Sequence, residues 1–171
     1  MVLGPCNGIF CLFNDRDAVS LWNPAMRQFR TLPQLPLPEL PSNAELYSYS
    51  IFGFGMDPKT NEYKVIWIRV FLDKEEWFDM VMHDHHIQVG VFSPSRDSWR
   101  ELDGNLVPVR YVYESKFYSY ANGFYYWFAG DKDDRFILSF DMANEVFLAI
   151  PEPDGIPELI RDASWKQFAF Y

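Results

Sequence analysis

The sequence from Met56 to Ile66 is MDPKTNEYKVI, and three other stretches repeat its pattern. They are WNPAMRQFRTL from Trp22, FSPSRDSWREL from Phe92 and FDMANEVFLAI from Phe140. Each copy begins with a large apolar residue, and a residue type that starts turns follows it: Asn23, Asp57, Ser93 or Asp141. The eighth position is aromatic in every copy: Phe29, Tyr63, Trp99 and Phe147. The pattern predicts a strand end, a tight turn and a returning strand, and we call it the turn signature.

Further strands are predicted around the first and last signatures. Asn7-Gly8 and Asn122-Gly123 stand upstream of them, and Asn-Gly between apolar runs is the strongest short-range signal for a hairpin. One unit is therefore an antiparallel meander, and the signatures recur at intervals of 34, 36 and 48 residues. Such intervals are typical of propeller blades. The apolar run over residues 63–72 fits a sheet that is covered on both faces.

We therefore predict an all-β fold of repeated meanders that form an incomplete, kelch-like β-propeller, with a β-sandwich as the alternative. A structural role in the repeats is assigned to the following residues: Trp22, Phe29, Asp57, Tyr63, Phe92, Trp99, Phe140 and Phe147. The chain holds about three and a half units, whereas closed propellers have at least about four blades. The first unit opens near its hairpin turn, and the last ends on the strand-like QFAFY. We expect a single domain over residues 1–171 that is truncated at both ends.

The composition limits the classes of function. The chain has 24 acidic and 15 basic residues, a formal net charge of −9 and a pI of about 4.7. This charge argues against nucleic-acid and anionic membrane partners and favours a basic protein partner. No apolar stretch is long enough to span a bilayer, and the N-terminus lacks the basic region of a secretion signal. We expect a cytoplasmic protein, with the nucleus as a further compartment, and we expect Cys6 and Cys11 to be buried thiols.

One insert is the leading candidate for a binding site. Residues 73–86, DKEEWFDMVMHDHH, contain five acidic residues and one lysine together with aromatic and methionine side chains. Aromatic anchors inside an acidic rim suit a basic protein surface. The alternative, a solvated extension of a hairpin, stays open. The predicted partner-binding residues are Glu75, Glu76, Trp77, Phe78, Asp79, His83 and His85.

Other segments suggest chemistry but lack its full pattern. His83, His85 and His86 with Asp84 have no second cluster of ligands, so we expect solvated histidines and no metal. Asp131, Asp133 and Asp134 lack the glycine and glutamate of a calcium loop and indicate a hairpin tip. In GFGMDP (53–58) a proline replaces the third glycine of a dinucleotide fingerprint. The proline-rich residues 32–41 favour a connection between blades over a polyproline ligand. We expect no cofactor and no catalytic residue.

The ordered motifs resemble one family, the F-box-associated domain of plant F-box proteins, and within it the S-locus F-box group most. The resemblance rests on GPCNG (4–8), LWNPAMRQFRTLP (21–33), FGFGMDPKTNEYKV (52–65), VFSPSRDSWREL (91–102), NGFYYWFA (122–129) and ILSFDMANEVFLAIP (137–151). It implies a non-catalytic module that binds the substrate of an SCF ubiquitin ligase. An F-box, which is missing from this sequence, docks the Skp1-like adaptor and thereby the cullin. In the S-locus group the substrates are S-RNases, which are basic glycoproteins, and the outcome is control of self-incompatibility.

Three alternatives stay open beside this one. A propeller enzyme such as a glycosidase or an oxidase would need convergent carboxylates, whereas Asp57 and Asp141 recur within the turn signature and are expected to be structural. A general scaffold for protein interaction would have the same fold without ubiquitin chemistry. An F-box relative unrelated to self-incompatibility would keep the ligase role with a different target.

Overall fold

In the described part of the chain the fold has thirteen β-strands and one turn of 3-10 helix (Gly104–Leu106). The computed structural model describes residues 1–14, 17–38, 46–73, 86–109, 111–112, 119–131 and 134–152. The first sheet contains β1 (Val2–Cys6), β2 (Ile9–Phe13), β3 (Val19–Asn23) and β4 (Gln28–Thr31). The second contains β5 (Leu46–Met56), β6 (Tyr63–Asp73), β7 (His86–Ser93) and β8 (Ser98–Leu102). The third contains β9 (Tyr111–Val112), β10 (Tyr120–Ala121), β11 (Phe124–Asp131), β12 (Asp134–Asp141) and β13 (Val146–Pro151).

Each sheet is an antiparallel meander in which neighbours in sequence pair with each other. In the third sheet β9 and β10 both pair with β11, on the side away from β12, so together they take the place of one first strand. Every sheet therefore has four strand positions. The predicted all-β fold of repeated meanders, part of a β-propeller, is confirmed.

The four turn signatures share one geometry. In every copy the first residue pairs with the eighth: Trp22 with Phe29, Met56 with Tyr63, Phe92 with Trp99 and Phe140 with Phe147. The sixth residue has a positive φ in every copy: 54° at Arg27, 57° at Asn61, 51° at Asp97 and 56° at Glu145. The Asp57 Oδ1 atom accepts a 2.7 Å hydrogen bond from the Lys59 amide, and Asp141 accepts one of 2.8 Å from Ala143. The predicted sequence of strand end, turn and returning strand is confirmed.

The prediction that each signature marks one blade is wrong. The Met56 copy joins β5 to β6 and the Phe92 copy joins β7 to β8, so both belong to the second sheet. In the other two sheets the corresponding first turn is Asn7-Gly8 or Asn122-Gly123. A four-stranded meander has two turns at the same end. Each of these turns can be formed by a turn signature, and the first can also be formed by an Asn-Gly pair. The N-terminal unit, counted from sequence as incomplete, is a four-stranded sheet.

The second sheet is covered on both faces, as the apolar run predicted. Each residue from Val65 to Val70 in β6 is at most 3% exposed. On one face the ring of Phe52 lies 4.4 Å from that of Phe13 in the first sheet. On the other face, a Cβ atom at Gly53 would lie 2.5 Å from Trp127 of the third sheet. The glycine therefore allows the close approach of the indole.

The connection after β4 packs against the second sheet. Leu32 and Leu35 are each 5% exposed. The Trp99 Nε1 atom donates a 2.5 Å hydrogen bond to the Pro33 carbonyl oxygen, and Gln88 Nε2 donates one of 2.8 Å to Pro36. These contacts confirm the interpretation as a connection between blades over residues 32–38, and residues 39–41 lie outside the described part.

Candidate functional site

The two ends of the sheets differ in the connections that they carry. Short turns follow β1, β3, β5, β7, β10 and β12, and contacts between sheets bring them to a common end, which we call the turn end. Lys59 Nζ donates to Asn144 Oδ1 at 2.7 Å, the Tyr120 hydroxyl donates to the Met56 carbonyl at 2.8 Å, and Arg30 pairs with Asp97. Because the strands are antiparallel, the β2–β3, β6–β7 and β11–β12 connections and the links between sheets begin and end at the opposite side. We call that side the connection end.

A buried cluster of charges lies at the turn end, between the second and third sheets. The Lys64 Nζ atom is 2.9 Å from Asp57 Oδ2 and 2.8 Å from Glu145 Oε1, and it donates a 2.6 Å hydrogen bond to the Met142 carbonyl. Arg100 forms a second ion pair with Glu145. Asp57 is 2% exposed and Lys64 is 6% exposed. The charges satisfy one another across the junction of the two sheets.

The electrostatics of this cluster are those of a structural site. Burial acts to raise the pKa of Asp57, but hydrogen bonds from Lys64 and from the backbone amides of Lys59 and Thr60 outweigh it, and the pKa is lowered. Burial also opposes ionisation of Asp141, but bonds from Asn144 and the Ala143 amide lower its pKa. General acid catalysis needs a carboxyl group with a raised pKa. Both aspartates are thus held as carboxylates that build turns.

A second polar network joins the first and second sheets. Arg69 Nη2 lies 3.1 Å from Asp17 Oδ2 in the β2–β3 connection, and Arg69 Nη1 donates a 3.2 Å hydrogen bond to Gln88. Its guanidinium lies 4.3 Å from the centre of the Trp67 ring. Gln88 Nε2 also donates to Glu101 at 3.2 Å. The network fixes the β2–β3 connection against β6 and β7 on the way to the connection end.

Sequence reasoning missed both networks. Arg69 interrupts the apolar run VIWIRVFL, and Lys64 directly precedes it. A charge at the centre of a strand that is predicted to be covered on both faces needs a buried partner. A charged residue within such a strand therefore marks Lys64 and Arg69 as sites of buried ion pairs. It does not identify Asp17 or Glu145 as their partners.

The proposed binding segment begins and ends at the connection end of the second sheet. β6 ends at Asp73 and β7 begins at His86, whose ring lies 5.7 Å from that of Phe71 in the facing strand. The segment joins two neighbouring strands of one sheet. The partner-binding candidates themselves lie outside the described residues, as does Asp84: Glu75, Glu76, Trp77, Phe78, Asp79, His83 and His85. Their role stays a prediction.

The other segments singled out from the sequence are the acidic turn at 131–134, residues 53–58 and the two cysteines. Asp131 and Asp134 pair at the ends of β11 and β12, as expected of a hairpin tip, and Asp133 lies outside the described part. Residues 53–58 lie in β5 and its following turn, and a strand follows them where a dinucleotide fingerprint requires a helix. Cys6 and Cys11 are buried thiols that form no disulfide, as expected, and burial raises the pKa of Cys11 to about 12.

Two kinds of feature are absent from the described part of the chain. Within these ranges no three His, Cys, Asp or Glu side chains lie close enough together to hold a metal ion. Over the same ranges, none of the helical structure has the length and apolar character that crossing a membrane requires.

The acidic excess of the sequence lies mainly in the connections that begin and end at the connection end. The five connections between strands there are residues 14–18, 32–45, 74–85, 103–110 and 132–133. Together they contain ten acidic and four basic residues. The six turns at the turn end contain four acidic and three basic residues. By sequence, the connections are thus acidic, whereas the turns at the opposite end are nearly neutral.

Comparisons with known proteins agree with this architecture. Residues 2–155 match the family model described as the F-box associated beta propeller domain. The chain is 30% identical over 170 residues to the F-box protein At3g07870 of Arabidopsis thaliana, in an alignment that covers 90% of this chain and 39% of the relative. It is 26% identical over 168 residues to the F-box protein CPR1 of the same plant, covering 91% and 40%.

A third relative is named as a repeat protein. The F-box/LRR-repeat/kelch-repeat protein At1g09650 of Arabidopsis thaliana is 28% identical over 151 residues, covering 85% of this chain and 37% of the relative. The chain thus spans about two fifths of the length of these relatives. No solved structure gives a significant match.

Proposed function

Because the chain belongs to the family of F-box-associated β-propeller domains of plant F-box proteins, we propose that it is the substrate-recognition module of an SCF-type ubiquitin ligase. The observation that carries the proposal is the family match over residues 2–155, together with F-box proteins as the relatives. The module itself is not an enzyme, and partner subunits transfer the ubiquitin. A Skp1-like adaptor and the cullin bind through an F-box outside this sequence.

The target binds at the connection end. The packed sheets form a rigid support, and recognition segments are commonly loops on such a support. The acidic excess at this end favours a basic protein through charge complementarity. Residues 74–85 are the main contact: Trp77 and Phe78 are the anchors, and Glu75, Glu76, Asp79, His83 and His85 form the polar rim. The turn end, with its short turns of repeated geometry, serves as the structural side.

The finer proposal concerns the target class. A secreted, basic ribonuclease such as an S-RNase fits the acidic connection end, and the role in self-incompatibility follows from the resemblance to the S-locus group. An F-box relative with another basic target uses the same surface. A general interaction scaffold differs from both because it does not recruit a cullin adaptor.

The ligase role is tested with the full-length gene product. We expect affinity purification from plant tissue to recover a Skp1-like adaptor and a cullin with the protein. Deleting the F-box should abolish this recovery and leave target binding intact. Recovery of bound proteins without any adaptor would favour the scaffold, and an S-RNase among the bound proteins would support the role in self-incompatibility.

The binding segment is tested by substituting its two anchors. In the full-length protein, Trp77→Ala with Phe78→Ala should weaken target binding by about 1–4 kcal/mol, since buried aromatic anchors dominate interfaces. Phe29→Ala is the matched control, because Phe29 is an aromatic side chain at the turn end that is 74% exposed. Calorimetry or surface plasmon resonance measures both. Equal affinities for the parent and the double variant would reject the segment as the contact.

A further inference from the structure

β13 is the last strand of the third sheet, and in the described part of the chain no strand pairs with its second edge. The Glu152 amide donates a 3.1 Å hydrogen bond to the Arg135 carbonyl, which the register places opposite it. Bonded and non-bonded pairs alternate along an antiparallel ladder, so every second residue of β13 bonds to β12. The amide and carbonyl groups of Phe147 and Ala149 belong to the other residues and point away from β12. We call this side of β13 the open edge.

The composition of β13 differs from that of the last strands of the other two sheets. β13 is VFLAIP, without a polar side chain, whereas β4 and β8 are QFRT and SWREL. Val146, Leu148 and Ile150 are 45%, 52% and 45% exposed. Proteins commonly protect an edge strand with charged residues, and an apolar edge without them is a site for pairing with another chain. Within the described sheets, β13 is therefore the edge strand best suited to accept a further strand.

A second copy of β13 fits the open edge. In antiparallel pairing about a twofold axis at Leu148, Phe147 lies opposite Ala149 of the second copy, and the axis repeats this pair. Both residues present an amide and a carbonyl to the open edge, so the two pairs form four backbone hydrogen bonds. Pro151 has no amide hydrogen, and the ladder therefore ends before it. The strand is thus complementary to itself over its apolar length.

The charges around β13 allow two copies of an acidic chain to meet there. The chain has a net charge of −9, and two copies therefore repel each other in general. β13 is uncharged, and the adjoining Glu145 is paired with Lys64 and Arg100. Symmetric pairing places the exposed apolar side chains of the two strands beside each other, which removes them from water, and no like charges face each other across the ladder.

We propose that the open edge of β13 is an interaction surface for a second copy of this chain, which pairs with it antiparallel through Phe147 and Ala149. Such a contact uses the same surface on both copies, so it closes as a dimer and does not continue into a filament. β13 runs from the turn end to the connection end, and antiparallel pairing therefore directs the two connection ends in opposite directions. The surface is separate from the proposed target site.

Sedimentation equilibrium of the full chain tests the pairing. We expect the average mass to rise from that of the 20.2 kDa monomer toward twice this value between about 1 and 300 µM, since small interfaces are weak. Leu148→Lys places two like charges beside each other on the twofold axis and should weaken the dimer by about tenfold. Thr31→Lys, at an exposed residue of the edge strand β4, is the matched control. A monomeric parent, or a dimer that Leu148→Lys weakens no more than Thr31→Lys does, overturns the proposal.

Hydrogen exchange of the parent, resolved by NMR, locates the contact without a variant. The amides of Phe147 and Ala149 should exchange more slowly as the protein concentration rises, whereas the Leu148 amide, which bonds to β12, should be protected at every concentration. A rise in mass without this change would place the contact elsewhere and overturn the proposal. Protection of Phe147 and Ala149 at every concentration would identify a segment of the same chain as the occupant of the open edge and would equally overturn it.

Discussion

Lys64 shows how one residue joins two sheets. Its ammonium group is buried and contacts Asp57 from its own sheet and Glu145 from the turn between β12 and β13. A buried ion of this kind is retained only when its partners compensate the loss of hydration. The two carboxylates and the Met142 carbonyl provide this compensation.

Removing this charge should destabilise the fold. Lys64→Met keeps the length of the side chain but leaves the buried carboxylate of Asp57 without its cation, while Glu145 keeps Arg100 as a partner, and we expect a loss of about 3–5 kcal/mol. Lys59→Met is the matched control, because Lys59 is exposed and makes one hydrogen bond to Asn144. That variant should stay within about 0.5 kcal/mol of the parent. Urea denaturation measures both, and similar losses would contradict the account.

The ionisation of Asp57 makes the stability of this cluster depend on pH. Its pKa is lowered in the folded state, so its stabilising effect is complete above the unfolded pKa of about 3.9 and is lost as the pH falls through the folded pKa. In Asp57→Asn this part of the acid sensitivity should be absent, while the amide oxygen still accepts from the Lys59 amide. The free energy of unfolding from neutral pH to about pH 2.5 measures the difference. Parallel curves for parent and variant would contradict the prediction.

At the scale of an element, the turn signature is defined by its backbone. The first and eighth residues pair and the sixth has a left-handed conformation, although none of the four sixth residues is glycine. The eighth residues differ widely in burial, from 8% exposed at Phe147 to 74% at Phe29. The four copies therefore share a register and a turn conformation but not an environment.

The left-handed position predicts a stabilising substitution. Arg27 is exposed and has a φ of 54°, a region that costs a non-glycine residue about 1–2 kcal/mol. Arg27→Gly should raise stability by about 0.5–1 kcal/mol after the greater flexibility of the unfolded chain is counted. Ala25→Gly in the same turn should instead lower it by a similar amount. Thermal unfolding measures both, and a lower midpoint for Arg27→Gly would refute the reasoning.

At the scale of the whole molecule, the alternation of strand direction separates two ends with different roles. At the turn end Lys64, Arg30 and Lys59 contact residues of other sheets, and the buried Lys64 contributes most to holding them together. The longer segments begin and end at the connection end, and their sequences contain most of the acidic excess between strands. In the proposed function, the contacts between sheets and the recognition segments therefore lie on opposite sides of one scaffold.

This separation predicts how binding responds to salt. The association rate with a basic target should fall by about tenfold or more between low salt and about 0.5 M, because salt screens the attraction, while the dissociation rate changes little. Glu75→Gln with Glu76→Gln should reduce both the rate and its salt dependence. Glu62→Gln at the turn end is the control. Stopped-flow measurements that find the same rate for the double variant as for the parent would count against the acidic end as the contact.

Much of the fold was predictable because its signals are local. Asn7-Gly8, the four signatures and the apolar run of β6 each predict a strand or turn from neighbouring residues. The number of signatures in each sheet was not predictable, because the turn after β5 and the turn after β7 have the same kind of sequence. The candidate site was predictable as a segment, residues 73–86, because its acidic and aromatic composition is read from neighbouring residues.

By itself the sequence determined the strands, the turns, their register and the family, because each depends on residues within a few positions of one another. Only the tertiary structure decided how the sheets stack, and it therefore decided the partners of the two buried cations. Lys64 meets Met142 and Arg69 meets Asp17 across 78 and 52 residues of chain. Contacts at such separations depend on how whole sheets pack, and no local pattern of residue types specifies them.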